Sequence, residues 1–239
     1  MRRALTQADI EEFRERVCVV ATEILAEMGE EQFNMRQLAG RLGVSAMTAY
    51  RYFRDKSEIV AAVRAQTFAR LADRLGAVQD APGSMQRILA ALSQVYVDFA
   101  REEQVLYRSM FDLSGSRAAA APELRRNELR AREAFTAPLR RLANAGLCKS
   151  DPDLIGQVLW SFLHGAMALS LAGELSDTNR DRMIFETIRM LALSASGAIE
   201  FQSLESLNDR PSFRANGSAN HPGKHEVAQA PAFDSAQIS

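Results

Sequence analysis

The segment from Phe33 to Val60, FNMRQLAGRLGVSAMTAYRYFRDKSEIV, limits the fold more than any other part of this 239-residue chain. Asn34 offers a side-chain acceptor to the free N–H groups at a helix start, and Gln37 three residues later completes a capping box. Met35, Leu38, Ala39 and Leu42 recur along one side of that helix. Gly43 follows at once. Glycine enters the left-handed region without steric cost, so the helix is expected to stop there and the chain to turn. Ser45 caps a second helix, read from Ala46 to about Phe53, shorter than the roughly 12 to 15 residues an isolated helix needs. Asp55 and Glu58 form another capping box and begin a third helix, with Lys56 at its positive end. Two short helices about a glycine turn, braced by longer neighbours, have the layout of a helix-turn-helix.

The second helix offers outward Ala46, Met47, Thr48, Tyr50, Arg51 and Tyr52. Small side chains let a helix approach base edges, hydroxyls and guanidinium groups bond to bases or phosphates, and tyrosines reach phosphate oxygens. The segment is also locally basic. Arg41, Arg51 and Arg54 lie between Arg36 and Lys56 with only Asp55 opposing, whereas the preceding segment carries Glu11, Glu12, Glu15, Glu23, Glu27, Glu30 and Glu31. The candidate contacts to double-stranded DNA are therefore Asn34, Arg36, Ser45, Ala46, Met47, Thr48, Tyr50, Arg51, Tyr52 and Lys56.

Through Leu38-Ala39, Gly43-Val44-Ser45, Thr48, Tyr50, Phe53 and Lys56 the chain resembles the TetR family of transcriptional regulators, over about its first 65 residues. The resemblance implies that Asn34, Tyr50, Tyr52 and Lys56 bind phosphates while Ser45, Ala46 and Thr48 face bases. Four positions depart from the family's commoner residues: Asn34 for Thr, Met47 for Gly, Ala49 for Leu and Tyr52 for His. Met47 alters the depth at which such a helix docks, so a target sequence is not transferable from relatives.

Composition bounds the rest. The formal net charge of −1 excludes a polycation that would coat nucleic acid, so positive charge acts locally. Cys18 and Cys148 have no disulfide-framework or metal spacing, and reduced thiols in the cytoplasm are expected. Arg2 and Arg3 are followed by polar residues, without the apolar core of a signal peptide. Val158 to Ala172 is shorter than the roughly 20 residues of a membrane span and is broken by Ser161, His164 and Gly165, which suits a buried helix. No membrane partner is expected.

Ile10, Phe13, Val17, Val20, Ile24 and Met28 recur at helical spacing, so a first helix is read from Gln7 to Met28, ended by Gly29. Arg2 and Arg3 form either a minor-groove arm or, the commoner outcome, a frayed terminus. The helix begun at Lys56 is read through Leu75 towards a Pro82-Gly83 turn, as a rod joining head to body. Further helices are read at 84–101, 102–113, 122–145, 152–172 and 179–201, with no strand. The expectation is an all-α chain: a three-helix head (1–58), a larger helical effector-binding and dimerisation body (59–201), and a disordered tail (202–239) poor in apolar periodicity. Asn216 heads a glycosylation tripeptide, which nothing else in the sequence supports.

Within the body, Tyr96, Phe99, Tyr107, Phe111, Phe135, Trp160, His164 and Met167, with Met110 and Phe162 alongside, combine large apolar groups with a few polar handles. Such a set lines a ligand cavity or simply fills a core. His164 shares a helix face with Trp160, and Gly165 allows another helix to approach closely, an arrangement similar to one in C-terminal domains of some TetR-type regulators. The last two helices are unusually apolar, the final one through Ile184, Ile188, Leu191, Ala195 and Ile199. A helix apolar on many sides needs partners on many sides. These two helices are expected to pair with their copies in a homodimer, as the resemblance also implies. Its recognition helices would meet successive major grooves about 34 Å apart on a palindromic operator.

The function expected is that of a ligand-responsive transcriptional regulator, a homodimeric repressor released from operator DNA by an apolar or amphipathic small molecule. The rivals are an enzyme and a helical adaptor that binds protein. Against an enzyme, the chain has no Gly-rich phosphate loop, no G-x-S-x-G elbow and no histidine pair at metal-ligand spacing, and two of its histidines, His221 and His225, fall in the tail. No motif asks for a cofactor or a metal.

Overall fold

The computed structural model describes residues 6–78, 83–111 and 121–198. The expected arm at Arg2 and Arg3, the tail from 202, and the expected helix ends at Pro82, Leu113 and Phe201 lie outside the described residues. Within them every regular element is a helix: α1 (Gln7–Gln32), α2 (Met35–Leu42), α3 (Ala46–Tyr50), α4 (Lys56–Gly76), α5 (Met85–Glu102), α6 (Gln104–Met110), α7 (Pro122–Asn144), α8 (Pro152–Leu171) and α9 (Asp177–Ala195).

Local chemistry explains most of the boundaries. Thr6 and Asp9 form a reciprocal capping box on α1, and Ser45, Asp55, Ser84, Asp151 and Ser176 each cap the helix that follows through a side-chain oxygen. Gly29 does break the first helix, with φ 77° and ψ 172°, but one more turn follows it to Gln32. Gly43 adopts φ 68° and ψ 27°, the left-handed cap that the turn requires. The second helix is shorter than the expected Ala46 to Phe53. It has five residues, after which Arg51 and Tyr52 form a turn.

Both expected capping boxes of the head are only half made. Asn34 Oδ1 accepts from the N–H groups of Arg36 and Gln37, but Gln37 does not return to the Asn34 backbone; its Oε1 accepts from Asn34 Nδ2 at 2.7 Å. Asp55 Oδ1 accepts from Glu58 N at 2.9 Å, whereas the Glu58 carboxylate accepts from Arg54 N and from Arg14.

Two apolar clusters organise the chain. One gathers Val17, Ala21, Ile24, Leu25, Phe33, Leu38, Leu42, Ala49, Phe53, Ile59, Val60 and Val63 around the helix-turn-helix, and it also holds Leu106 of α6. The other runs through α4, α5 and α7 to α9, with Phe68, Leu71, Leu92, Tyr96, Phe99, Phe135, Leu159, Met167, Ile188 and Leu191. The long α4 belongs to both, passing from one to the other between Val63 and Ala65.

The apolar stripe of α9, Ile184, Ile188, Leu191 and Ala195, is turned into this second cluster. The other side of α9 leaves Met183, Met190 and Leu193 exposed, beside Leu154 and Leu169 of α8. At 20 residues and a mean hydropathy of 1.4, α8 is longer than the apolar stretch read in the sequence and has the length of a membrane span. One side of it packs against α5, α7 and α9, while Leu154 and Leu169 on the other stay exposed. Among the described residues, nothing lies within 4 Å of a Cβ added at Gly165. Close helix approach falls to Gly156 instead, where an added Cβ would meet Thr136 Cγ2 of α7 at 2.5 Å.

Cys18 and Cys148 are free and buried. Burial pushes the Cys18 thiol up to about 11, and it raises that of Cys148 as well.

Candidate functional site

The surface of the helix-turn-helix is built around α3. Ala49 faces inward and is fully buried, which fixes the opposite side of the helix as the one presented to solvent. On that side Met47 is 73% exposed, more than any other large apolar side chain among the described residues, and Tyr50 is 49% exposed. Ser45 and Arg51 are exposed, while Ala46 and Thr48 are half-buried. The hydroxyls of Ser45 and Thr48 lie 2.9 Å apart and bond to each other, so part of their capacity is used within the helix start. Asn34 and Arg36 are exposed at the start of α2.

Tyr52 and Lys56 are more engaged than the others. The Tyr52 ring is tilted against Phe13 of α1, with centroids 4.2 Å apart. Lys56 Nζ donates to the Glu30 carbonyl at 2.5 Å and lies 5.9 Å from the Phe33 ring centre. An ammonium has three donors, so two remain for other acceptors.

The local charge count needs one correction. Arg41 is held by both carboxylate oxygens of Glu27, a residue of α1, and Arg54 lies 3.3 Å from Asp55. Arg36, Arg51 and Lys56 are left as the cations of the segment that form no ion pair among the described residues, Lys56 donating to a backbone carbonyl instead.

Sequence reading missed Arg14 of α1. Its guanidinium donates to the carbonyl of Tyr52, pairs with Glu58 at 3.1 Å and lies 4.1 Å from the centre of the Phe53 ring. One side chain thus ties the turn after α3 to both α1 and α4. Only its partners reveal this role, since charge and spacing along α1 mark it as one more surface arginine.

A cavity of about 650 Å³ opens in the body, lined by Phe111, Leu129, Phe135, Trp160 and His164 together with the polar side chains of Arg132, Glu133, Thr136, Arg140, Asp153, Gln157 and Ser161. Four of the eight expected ligand residues, Phe111, Phe135, Trp160 and His164, line it. Tyr96 and Tyr107 stand behind them, Tyr96 edge-on to Phe135 and Trp160 at 5.8 and 5.6 Å. Phe99 and Met167 are fully buried core residues that do not reach the cavity. The polar residues of α7 and α8 were not anticipated, because in sequence they read as the solvated sides of those helices.

A hydrogen-bonded chain leads from the core to the cavity wall: Tyr96 Oη to Tyr107 Oη at 3.0 Å, and Tyr107 Oη to His164 Nδ1 at 2.9 Å. Its direction follows from counting protons. Tyr96 is fully buried and bonds only to Tyr107, so its proton is used only if Tyr96 donates to Tyr107, which then donates to Nδ1. The reverse order would strand that proton in the core at a cost of about 1 to 3 kcal/mol. His164 therefore carries its hydrogen on Nε2. Among the described residues that atom has no hydrogen-bond partner, which leaves it available at the cavity wall.

Burial also lowers the pKa of His164 below the ordinary 6.5, so the ring is neutral at pH 7. Below about pH 6.5 the unfolded histidine takes up a proton that the folded one resists. The stability tied to neutral His164 is thus present above that pH and lost as pH falls through the lower folded pKa. Urea midpoints are expected to drop on acidification from pH 7 to 5, and His164→Asn to reduce that drop. An unchanged slope would refute the assignment.

A recognition helix on a helix-turn-helix head, joined to an all-helical body, defines a DNA-binding regulator of transcription. Residues 18–63 match the family model described as bacterial regulatory proteins, tetR family, and residues 89–191 match the tetracyclin repressor-like C-terminal domain. The chain belongs to the TetR family of transcriptional regulators, and as such it is a regulator and not an enzyme.

The fold is similar to that of a protein of unknown function from Rhodococcus sp. RHA1, with TM-score 0.67 and 23% identity over 77% of this chain and 95% of that one. It is also similar to a TetR-family transcriptional regulator from Pectobacterium atrosepticum, with TM-score 0.61 and 21% identity over 83% and 100%. A third likeness is to the transcriptional regulator FadR from Bacillus subtilis in complex with stearoyl-CoA, with TM-score 0.61 and 15% identity over 74% and 97%. At these identities the likeness is one of fold. No curated protein matches the chain by sequence.

Proposed function

We propose that the protein is a cytoplasmic, homodimeric repressor that leaves its operator when a small molecule fills the body cavity. The observation that carries this reading lies in α6, a helix of seven residues. Leu106 is buried in the apolar cluster of the head, and its neighbour Tyr107 bonds to His164 at the cavity wall. Phe111, at the end of the same helix, stacks on His164 with ring centres 4.0 Å apart. A ligand that displaces Phe111 or His164 therefore moves a helix whose other side supports α1. The complex of a structural neighbour with stearoyl-CoA supports ligand response in a body of this fold.

For release, the ligand must favour the state that does not fit DNA. A 10- to 100-fold preference corresponds to about 1.4 to 2.8 kcal/mol of coupling. The division at 58/59 into head and body belongs to this reading, although Ile59, Val60 and Val63 pack with the head. The exposed Leu154 and Leu169 of α8, Met183, Met190 and Leu193 of α9, and the small exposed Gly165, Ala168 and Ala172 between them support a dimer face that admits close helix approach. Light scattering that found a monomer at micromolar concentration would sink the dimer.

The test of DNA recognition is a polarisation titration on DNA from upstream of the coding region, against unrelated DNA, with salt varied. Tight, selective, salt-sensitive binding is expected, as is its weakening by Tyr50→Ala on all sequences. Equal weak binding to both DNAs would favour the adaptor. Leu106→Ala is expected to leave ligand binding within about threefold while cutting the ligand's effect on DNA affinity by half or more on the free-energy scale, since its side chain joins α6 to α1.

A further inference from the structure

We infer that the cavity takes an uncharged, flat aromatic compound whose carbonyl-type oxygen accepts a hydrogen bond from His164 Nε2. This rests on reading the cavity as the effector site, and it adds the chemistry of the occupant.

The walls select a ring. Phe135 and Trp160 meet edge to face with centres 5.1 Å apart, Phe111 and Trp160 at 6.3 Å, and Phe111 covers the His164 imidazole. Another flat ring extends such an array at the same spacings. The volume of about 650 Å³ lies in the range of small-molecule sites and is ample for two or three fused rings.

α7 and α8 are in close contact at one point of the wall, where a Cβ added at Gly156 would meet Thr136 Cγ2 at 2.5 Å.

The polar groups select an acceptor without a charge. The chain of tyrosines fixes the hydrogen of His164 on Nε2 and leaves that donor without a partner among the described residues, so an oxygen acceptor satisfies it while an ammonium opposes it. Glu133 and Asp153 are the acidic residues of the lining, and both pair with Arg140, Asp153 at 2.6 Å, although Asp153 Oδ1 is buried and makes no well-directed hydrogen bond. Arg132 is exposed at the rim and so remains in water. Two arginines and two carboxylates cancel, leaving no net charge in the lining to attract an ion.

Matched probes test this on the full-length protein: 2-acetonaphthone, 2-ethylnaphthalene with the same shape and no acceptor, 2-naphthylmethylamine as the cation, and decanoate as the alkyl acid. Affinity is measured by calorimetry, and location by quenching of Trp160, the only tryptophan in the chain. The ketone is expected to bind about tenfold tighter than the ethyl compound, in keeping with one added hydrogen bond, and more tightly than the amine or the acid. His164→Phe is expected to erase the tenfold gap. His164→Asn keeps an acceptor for Tyr107 and an N–H donor, and is expected to restore part of it, which separates a lost bond from a misfolded variant. Equal affinity of ketone and ethyl compound, a gap that survives His164→Phe, or preference for the amine or decanoate overturns the ligand class while the effector site stands. Failure of all four probes to bind overturns both.

Discussion

Replacing Arg14 by alanine is expected to destabilise the head by about 2 to 3 kcal/mol and to weaken operator binding about 10- to 100-fold. The estimate is built from what the guanidinium touches. Its bond to the Tyr52 carbonyl is charge-assisted, the kind that contributes about 1.5 to 3 kcal/mol, and its place over Phe53 adds about 0.5 to 1 kcal/mol. The Glu58 pair counts for little, because the Arg14 side chain is 38% exposed and water screens it. That exposure also holds the total near the low end of the sum.

The effect on DNA follows from the size of α3. Five residues make no stable helix alone, so its pose depends on the corner that Arg14 ties to α1 and α4. Lysine lacks the planar fork and the stacking face, so Arg14→Lys is expected to recover less than half of the loss. Arg14 positions the helix and does not touch phosphate in this reading. The salt dependence of binding is therefore expected to keep its slope in Arg14→Ala while the affinity falls at every salt concentration. A reduced slope would make Arg14 a phosphate contact. Arg16→Ala, an exposed neighbour on α1, is expected to change stability by less than about 0.5 kcal/mol.

Arg14 also marks where sequence reading gave out. Capping residues, glycine turns and apolar spacing act within a few positions of the chain, so the helix order, the Gly43 cap and the inward face of α2 were all legible. The Glu58 carboxylate was not, because its partner Arg14 arrives from 44 residues away and competes with the local backbone. The same limit governs the cavity. Periodicity identified Phe99, Met167, Phe135 and Trp160 as apolar, but it does not distinguish a side chain packed at the centre of a bundle from one beside an opening. Glu133, Arg140 and Asp153 are ordinary charges in sequence and become a linked set only when α7 and α8 lie side by side. Gly165 was legible as small, yet the helix contact of the chain itself is made at Gly156.

Tyr107→Phe is expected to cost about 2 to 4 kcal/mol, and Tyr96→Phe less than about 1.5 kcal/mol, although both remove one hydroxyl from a buried ring. The asymmetry comes from the direction of the chain. Without the Tyr107 hydroxyl, the Tyr96 proton loses its acceptor in a fully buried position and His164 Nδ1 loses its donor, so two groups are left unsatisfied. Without the Tyr96 hydroxyl, Tyr107 still donates to Nδ1 and only one acceptor lone pair goes unused. Burial pushes the Tyr107 phenol up to about 12 and Tyr96 higher than its usual range too, so neither ionises across the pH range in which stability is measured. Urea denaturation followed by circular dichroism reads both variants, and nitrogen-15 magnetic resonance of the His164 ring reads the proton order directly, with the hydrogen expected on Nε2. A hydrogen found on Nδ1 would mean that Tyr107 donates to Tyr96, turn Nε2 into an acceptor, and reverse the ligand chemistry inferred for the cavity from oxygen acceptors to hydrogen-bond donors.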